Sequence, residues 1–367
     1  LKSYQNLALK NNLRIVKILL VAPEFSDDFV TDCEMDTEMN LSLITASISA
    51  QKAENPDNIY DLGATISEMT LTVGGILVVA TNDGLVGIKP SESTPLFTFN
   101  NFGQLKPEET EFVPSSPYII VSQGANSKFA GIAKTKRAVI DYIKGDIIFN
   151  SENDNWNQIY TCNVILPQNK LIVSGIQKEG DKFEKITPKV AVYDLSSRKL
   201  DFSFFLSTPG KVGISKDYSI TGTPLLLKDF IIVPTAQGLI AKSHTGKDLW
   251  ENNIKRINWM VADASETEIY GFETTSNGKN TRIHKIGKNG EELWNDDRKV
   301  KGNVSNFEIT PKGIAVVSDK NDGGDTSVFA TKNESEIAFL DAATGEDVWE
   351  KAPKTKGWVQ HFYIQED

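Results

Sequence analysis

An all-β fold is what this sequence predicts, and three observations predict it. First, a turn-and-tryptophan motif recurs: Thr245-Gly246 leads to Trp250, Asn289-Gly290 to Trp294, and Thr344-Gly345 to Trp349, each through a charged residue, an acid and an aliphatic. Second, six short β-rich runs are bounded by turn residues: 75–80, 118–121, 171–174, 230–233, 268–271 and 313–317. Third, no segment carries an amphipathic helix of three turns, while 26 glycines and 14 prolines punctuate the chain at strand-sized intervals. The three tryptophans are 44 and 55 positions apart, the scale of one four-stranded propeller blade at roughly 40–50 residues. The predicted architecture is therefore a β-propeller of four-stranded antiparallel blades over residues 1–367, seven in number, with six to eight compatible.

Each element follows in order. Strand-like runs occupy Leu13 to Val21 and Leu41 to Ile48, separated by an acidic loop over 24–40. Six blades account for about residues 64–355. Their first three hairpins run from Val86-Gly87-Ile88 to Phe99, from Asp141 through Lys144-Gly145 to Phe149, and from Asp194 through Ser196-Ser197 to Phe202. The next three are the tryptophan copies. Gly246, Gly290 and Gly345 supply the positive φ of a tight hairpin turn. The rings of Trp250, Trp294 and Trp349 are then expected on outer strands, mostly buried, where each can cover a neighbouring blade. Trp259 follows Trp250, and Trp358 follows Trp349, by nine positions each. Residues 356–367, with Trp358 to Ile364, are expected to form the inner strand of a closing blade whose other strands come from 1–63. Trp259 and Trp358 could then reach a face of the ring as contact residues.

A net charge of −10 argues against a nucleic-acid partner, because phosphate binding needs clustered Lys and Arg. The apolar stretch Ile15 to Pro23 is too short to span a membrane and has no cleavage pattern after it. A chain starting on Leu1 rather than Met is expected to be trimmed or processed. Cys33 and Cys162 are the only cysteines; one disulfide or two ordinary thiols are both open.

The run Asp341, Thr344, Gly345, Trp349 resembles the repeat of quinoprotein alcohol dehydrogenases and their non-enzymatic relatives, whose pattern is Ala-x-Asp-x-x-Thr-Gly-x-x-x-Trp. Phe339 stands where that family has Ala, Lys242 and Ile286 replace the Asp in the copies at Trp250 and Trp294, and Lys144 replaces the Thr before Gly145. Among such proteins the character is closest to the propeller lipoprotein of bacterial outer-membrane protein assembly. The resemblance implies docking of each Trp on the adjacent blade, and a periplasmic or membrane-associated place in a bacterial envelope.

Chemistry is less specified than fold. A quinone-dependent dehydrogenase of this family is expected to carry an adjacent-cysteine disulfide, a Ca²⁺ site and a catalytic Asp; the sequence has no Cys-Cys pair and offers no Asp for that role. His244, His284 and His361 lack metal-ligand spacing, and no Gly-x-Ser-x-Gly elbow occurs. Asp319, Asn321 and Asp325, interleaved with Gly323-Gly324, form one loop that could wrap a hard cation such as Ca²⁺, or serve as a polar connection. No residue is nominated as catalytic and no cofactor is expected beyond that Ca²⁺. The function expected is a non-catalytic scaffold binding a protein partner; the alternative is a quinone- or metal-dependent dehydrogenase, or a small-ligand sensor, using the central funnel.

Overall fold

A computed structural model of the chain describes residues 58–124, 135–177, 188–206, 219–274, 279–295, 297–320, 334–349, 352–357, 359 and 362, with the backbone of 18–22 and 41–45. The described structure is all-β, with six four-stranded antiparallel sheets, consistent with a β-propeller-like fold.

The amino-terminal strands β1 (Ile18–Ala22), β2 (Leu41–Thr45) and β3 (Asn58–Asp61) form a three-stranded sheet in the order β2-β1-β3. Both pairings are parallel, unlike the antiparallel strands expected of a blade. Parallel neighbours need a crossover of a dozen or more residues, and the 18 residues between β1 and β2 and the 12 between β2 and β3 are long enough.

The six sheets then follow in chain order, each a simple meander. Sheet I holds β4 (Ile66–Leu71), β5 (Leu77–Thr81), β6 (Gly84–Ile88) and β7 (Phe97–Phe99). Sheet II holds β8 (Thr110–Phe112), β9 (Tyr118–Gly124), β10 (Thr135–Asp141) and β11 (Asp146–Asn150). Sheet III holds β12 (Trp156–Ile165), β13 (Lys170–Gln177), β14 (Pro188–Asp194) and β15 (Lys199–Phe205). Sheet IV holds β16 (Leu225–Leu226), β17 (Phe230–Thr235), β18 (Gly238–Ser243) and β19 (Asp248–Glu251). Sheet V holds β20 (Trp259–Ala262), β21 (Glu268–Thr274), β22 (Asn280–Gly287) and β23 (Arg298–Lys301). Sheet VI holds β24 (Asn303–Thr310), β25 (Gly313–Lys320), β26 (Glu334–Asp341) and β27 (Lys354–Lys356). All six β-rich runs of the sequence fall on the second strands β5, β9, β13, β17, β21 and β25. They are apolar on both faces, because each sheet is covered on both sides.

The chain divides into two compact units, residues 1–169 with 195–198, and 170–194 with 199–367. In the first, alternation along β5 splits its residues between two clusters. Val78, with Ile76 just before the strand, packs with Phe97, Phe99, Ile119 and Ile140, while Leu77 and Val79 pack with Tyr60, Ile66 and Ile88. In the second, sheets IV and V share a core of Phe230, Ile232, Leu239, Ile257 and Ile269. Sheets V and VI share another of Tyr270, Phe272, Trp294, Ile314 and Val316.

The turn before the last strand is where the repeat is written. At Asp341 the carboxylate accepts from the N–H groups of Ala343 (2.9 Å) and Thr344 (2.8 Å) and from the Thr344 hydroxyl (3.0 Å), while Gly345 N–H donates to the Asp341 carbonyl at 2.8 Å. Asp141 caps its turn the same way, toward Ile143 (3.1 Å) and Lys144 (3.0 Å). The ladder slips by one residue beside this turn in three sheets, at Val139/Ile140, Val192/Tyr193 and Ala241/Lys242.

Three placements differ from expectation. Trp294 and Trp349 precede the outer strands β23 and β27 rather than lying on them, and Trp349 is 37% exposed, with its ring 6.0 Å from Phe339 of its own sheet. Among the described residues no turn glycine lies against the Trp349 ring as Gly345 lies against Trp294. The carboxy-terminal run is described only in part: Gly357 bridges Glu334, and the Val359 carbonyl accepts from Asn306 Nδ2 at 3.0 Å. Trp358 and residues 360, 361, 363 and 364 lie outside the described residues.

Candidate functional site

The candidate contact surface is built from three aromatic side chains of sheets V and VI. Trp259 opens β20 and stands directly opposite Phe272 of β21. Opposed residues share a face, so the two rings meet, stacked 3.8 Å apart and tilted by only 7°. Phe307 on β24 brings a third ring, 5.7 Å from Trp259 and 6.3 Å from Phe272. Exposure rises in order across the trio: Phe272 is fully buried, Trp259 half-buried and Phe307 39% exposed. The patch is thus the surface end of the core shared by sheets V and VI, held rigid from beneath. Polar groups flank it. Asn258 accepts from Thr274 N–H at 2.6 Å through its side chain and from Thr223 N–H at 2.7 Å through its carbonyl, and Asn306 holds Val359. Indole and phenyl rings do not titrate, so this surface can bind by stacking and burial but cannot move a proton.

Of the two tryptophans expected at a face, the structure places Trp259 here; Trp358 lies outside the described residues. Phe307 escaped the sequence reading because it sits outside every tryptophan copy. Its signal was the lone aromatic of a first strand whose other apolar residues, Val304 and Ile309, pack against the core.

The residues expected to join sheets form joints in the second unit. Trp250 donates from Nε1 to the Lys288 carbonyl at 2.9 Å, and its ring lies against Gly290, where a Cβ would come within 2.5 Å of the indole. Trp294 repeats this one sheet on, donating to the Ala342 carbonyl at 3.1 Å with its ring over Gly345, where a Cβ would come within 2.6 Å. At Gly246 the partner is Phe204 of sheet III, with Phe202 stacked on His244 at 4.5 Å. The sequence pointed to Phe202 by its spacing from Asp194. Phe204, two residues on, shares the joint.

The remaining candidates do not converge. Asp319, one residue before the end of β25, accepts from the Ser335 hydroxyl at 2.5 Å, while Asn321 and Asp325 lie outside the described residues. Among the described residues no group of three His, Cys, Asp or Glu side chains is placed to hold a metal ion. His284 Nδ1 lies 3.1 Å from Glu292, and His244 Nε2 lies 3.1 Å from the Leu227 carbonyl. Burial pushes the Cys162 thiol up to about 12, against the pull of the Arg137 guanidinium, so the sulfur is held as an unreactive thiol. An open cleft of about 500 Å³ is lined by Thr267, Glu268, Lys288, Asn289, Glu291 and Leu293. Its Glu268 is already engaged by Lys285 at 2.7 Å, and its Lys288 by Asp229 at 2.9 Å.

No protein-family model and no curated protein matches the chain. Solved structures resemble it distantly. A eukaryotic initiation factor matches 81% of this chain and 89% of its own at 10% identity, with a TM-score of 0.32. A protein of unknown function from Bacteroides caccae matches 80% of this chain and 83% of its own at 10% identity, with a TM-score of 0.34.

Proposed function

We propose that the chain is a non-catalytic binding scaffold whose contact surface for a protein partner is the patch of Trp259, Phe272 and Phe307. The observation that carries this reading is the graded stack itself: a large apolar ring held exposed by a buried one. Exposed side chains on a surface strand are ordinarily polar, and a pre-ordered aromatic anchor loses little conformational entropy when a partner covers it. A photo-crosslinking amino acid introduced at Phe307 should capture one protein in the native cell, and Trp259→Ala in the same chain should abolish that adduct. Crosslinking spread over many proteins, or unaffected by Trp259→Ala, would overturn the assignment.

We extend the proposal to the architecture. The six sheets are read as blades of the quinoprotein-type repeat, completed by a seventh to which both chain ends contribute, and placed in a bacterial envelope. The recurring Trp-on-Gly joint supports the repeat reading. A scaffold of this kind should show no alcohol-dependent dye reduction when supplied with pyrroloquinoline quinone and Ca²⁺. Robust turnover in that assay would favour the dehydrogenase reading.

A further inference from the structure

Sheet V ends on a strand whose charge runs against that of the whole molecule. β23 is Arg298-Lys299-Val300-Lys301, the last strand of its sheet, with no strand paired to its outer edge among the described residues. Val300 points inward, 8% exposed, into the core with Ile314 and Val316. By alternation Lys299 and Lys301 point the other way and are exposed. Lys299 is the direct neighbour of Arg282 on β22, and Arg282 is the direct neighbour of Glu273 on β21. Arg256 reaches the same Glu273 at 3.9 Å, as does Arg282, which also lies 3.5 Å from Asp297. Four cations, Lys299, Lys301, Arg282 and Arg256, thus share one face with the carboxylates of Glu273 and Asp297, on a chain of net charge −10. The corresponding edge of sheet IV, β19, carries Asp248 and Glu251 instead.

We propose that the β23 edge is a docking site for an extended acidic segment of a partner protein, added as a fifth strand with carboxylates at every second position. Such a strand would find backbone donors and acceptors along the open edge. Its alternate side chains would fall beside Lys299 and Lys301, where opposite charges across a strand pair attract. The same lysines repel a second copy of this edge, the usual way exposed edges avoid self-pairing. The charges that exclude one occupant therefore select the other.

The site is independent of the aromatic patch, and its test uses a defined probe. A fluorescent Glu-Val-Glu-Val-Glu-Val-Glu peptide should bind the full chain with an affinity that falls as salt rises. Lys299→Glu with Lys301→Glu should weaken binding by at least about tenfold, and Lys299→Gln with Lys301→Gln by less. Methylating the backbone nitrogens of the glutamates, or in a second peptide those of the valines, keeps the charge and removes the donors from one edge of the added strand, so one of the two peptides should lose at least about tenfold. Absence of binding to the unmodified chain, or undiminished affinity for both N-methylated peptides, would overturn the proposal. So would equal binding of a single-stranded oligonucleotide of the same charge, which would mark a general anion surface. A Phe307 crosslink without peptide binding overturns this inference alone, and peptide binding without that crosslink overturns only the aromatic site.

Discussion

Gly345 and Gly290 each hold two constraints at once, a backbone in the left-handed region (φ +71° and +86°) and an indole of the preceding sheet lying where a Cβ would go. Replacing Gly345 by Ala should therefore cost more than the roughly 1–2 kcal/mol of left-handed strain alone. Gly63, at φ +62° with nothing within 4 Å of its Cβ position, is the control that carries the strain without the clash. Denaturant titration of Gly63→Ala and Gly345→Ala should give a clearly larger loss for Gly345→Ala; equal losses would remove the packing from the account. A second prediction concerns Cys162. With the thiol held near 12, roughly one molecule in ten thousand carries the thiolate at pH 8. Iodoacetamide should leave Cys162 unmodified in the native chain and label it rapidly in denaturant, which mass spectrometry of the Cys162 peptide would read.

At the scale of elements, the Asp341 turn couples the fold to pH. Hydrogen bonds from Thr344, backbone first and then side chain, hold the Asp341 carboxyl below the usual carboxylate range. A folded pKa below the unfolded one means that the stabilisation is complete above the ordinary aspartate value of 3.8 and is lost as pH falls through the folded pKa. Asp341→Asn should lower the melting temperature at neutral pH, and the gap from the native chain should close below about pH 4. A gap that stays constant to pH 2 would show that charge is not what the turn uses. This turn was legible in the sequence because its chemistry is local: Asp, Thr and Gly act within five residues. The second strands were legible for a related reason, since burial on both faces leaves a run of β-branched and aliphatic residues. What was not legible depends on distant chain. The parallel pairing of β1 with β2 and β3 leaves no period-two signature, and Trp349 looks like Trp294 in sequence yet differs in what lies beside it. Phe307 became part of a site only once sheet VI was placed against sheet V, which no local pattern specifies.

At the scale of the whole molecule, every sheet face that carries apolar residues needs cover from water. Within the first unit one face of sheet I packs against sheet II, and the other is covered by the segment around β3. Tyr60 is 3% exposed, packed with Ile66, Leu77, Val79, Val86 and Ile88, and Leu62 lies against the same cluster. The Tyr60 hydroxyl donates to the Lys89 carbonyl at 3.1 Å and closely to that of Glu92, so the residue is fixed at its rim as well as its ring. Without this segment, apolar residues on three strands of sheet I would face water. Tyr60→Ala should cost about 3–5 kcal/mol, the range for removing a large buried ring, while Tyr60→Phe should cost only about 1 kcal/mol for the hydroxyl. Deleting residues 1–63 should go further. The melting temperature should fall well below that of Tyr60→Ala, and the truncated chain should bind an apolar dye that the full chain ignores. If the deletion leaves both the melting temperature and dye binding unchanged, the amino-terminal segment is not what completes sheet I, and that face must be covered by another part of the chain.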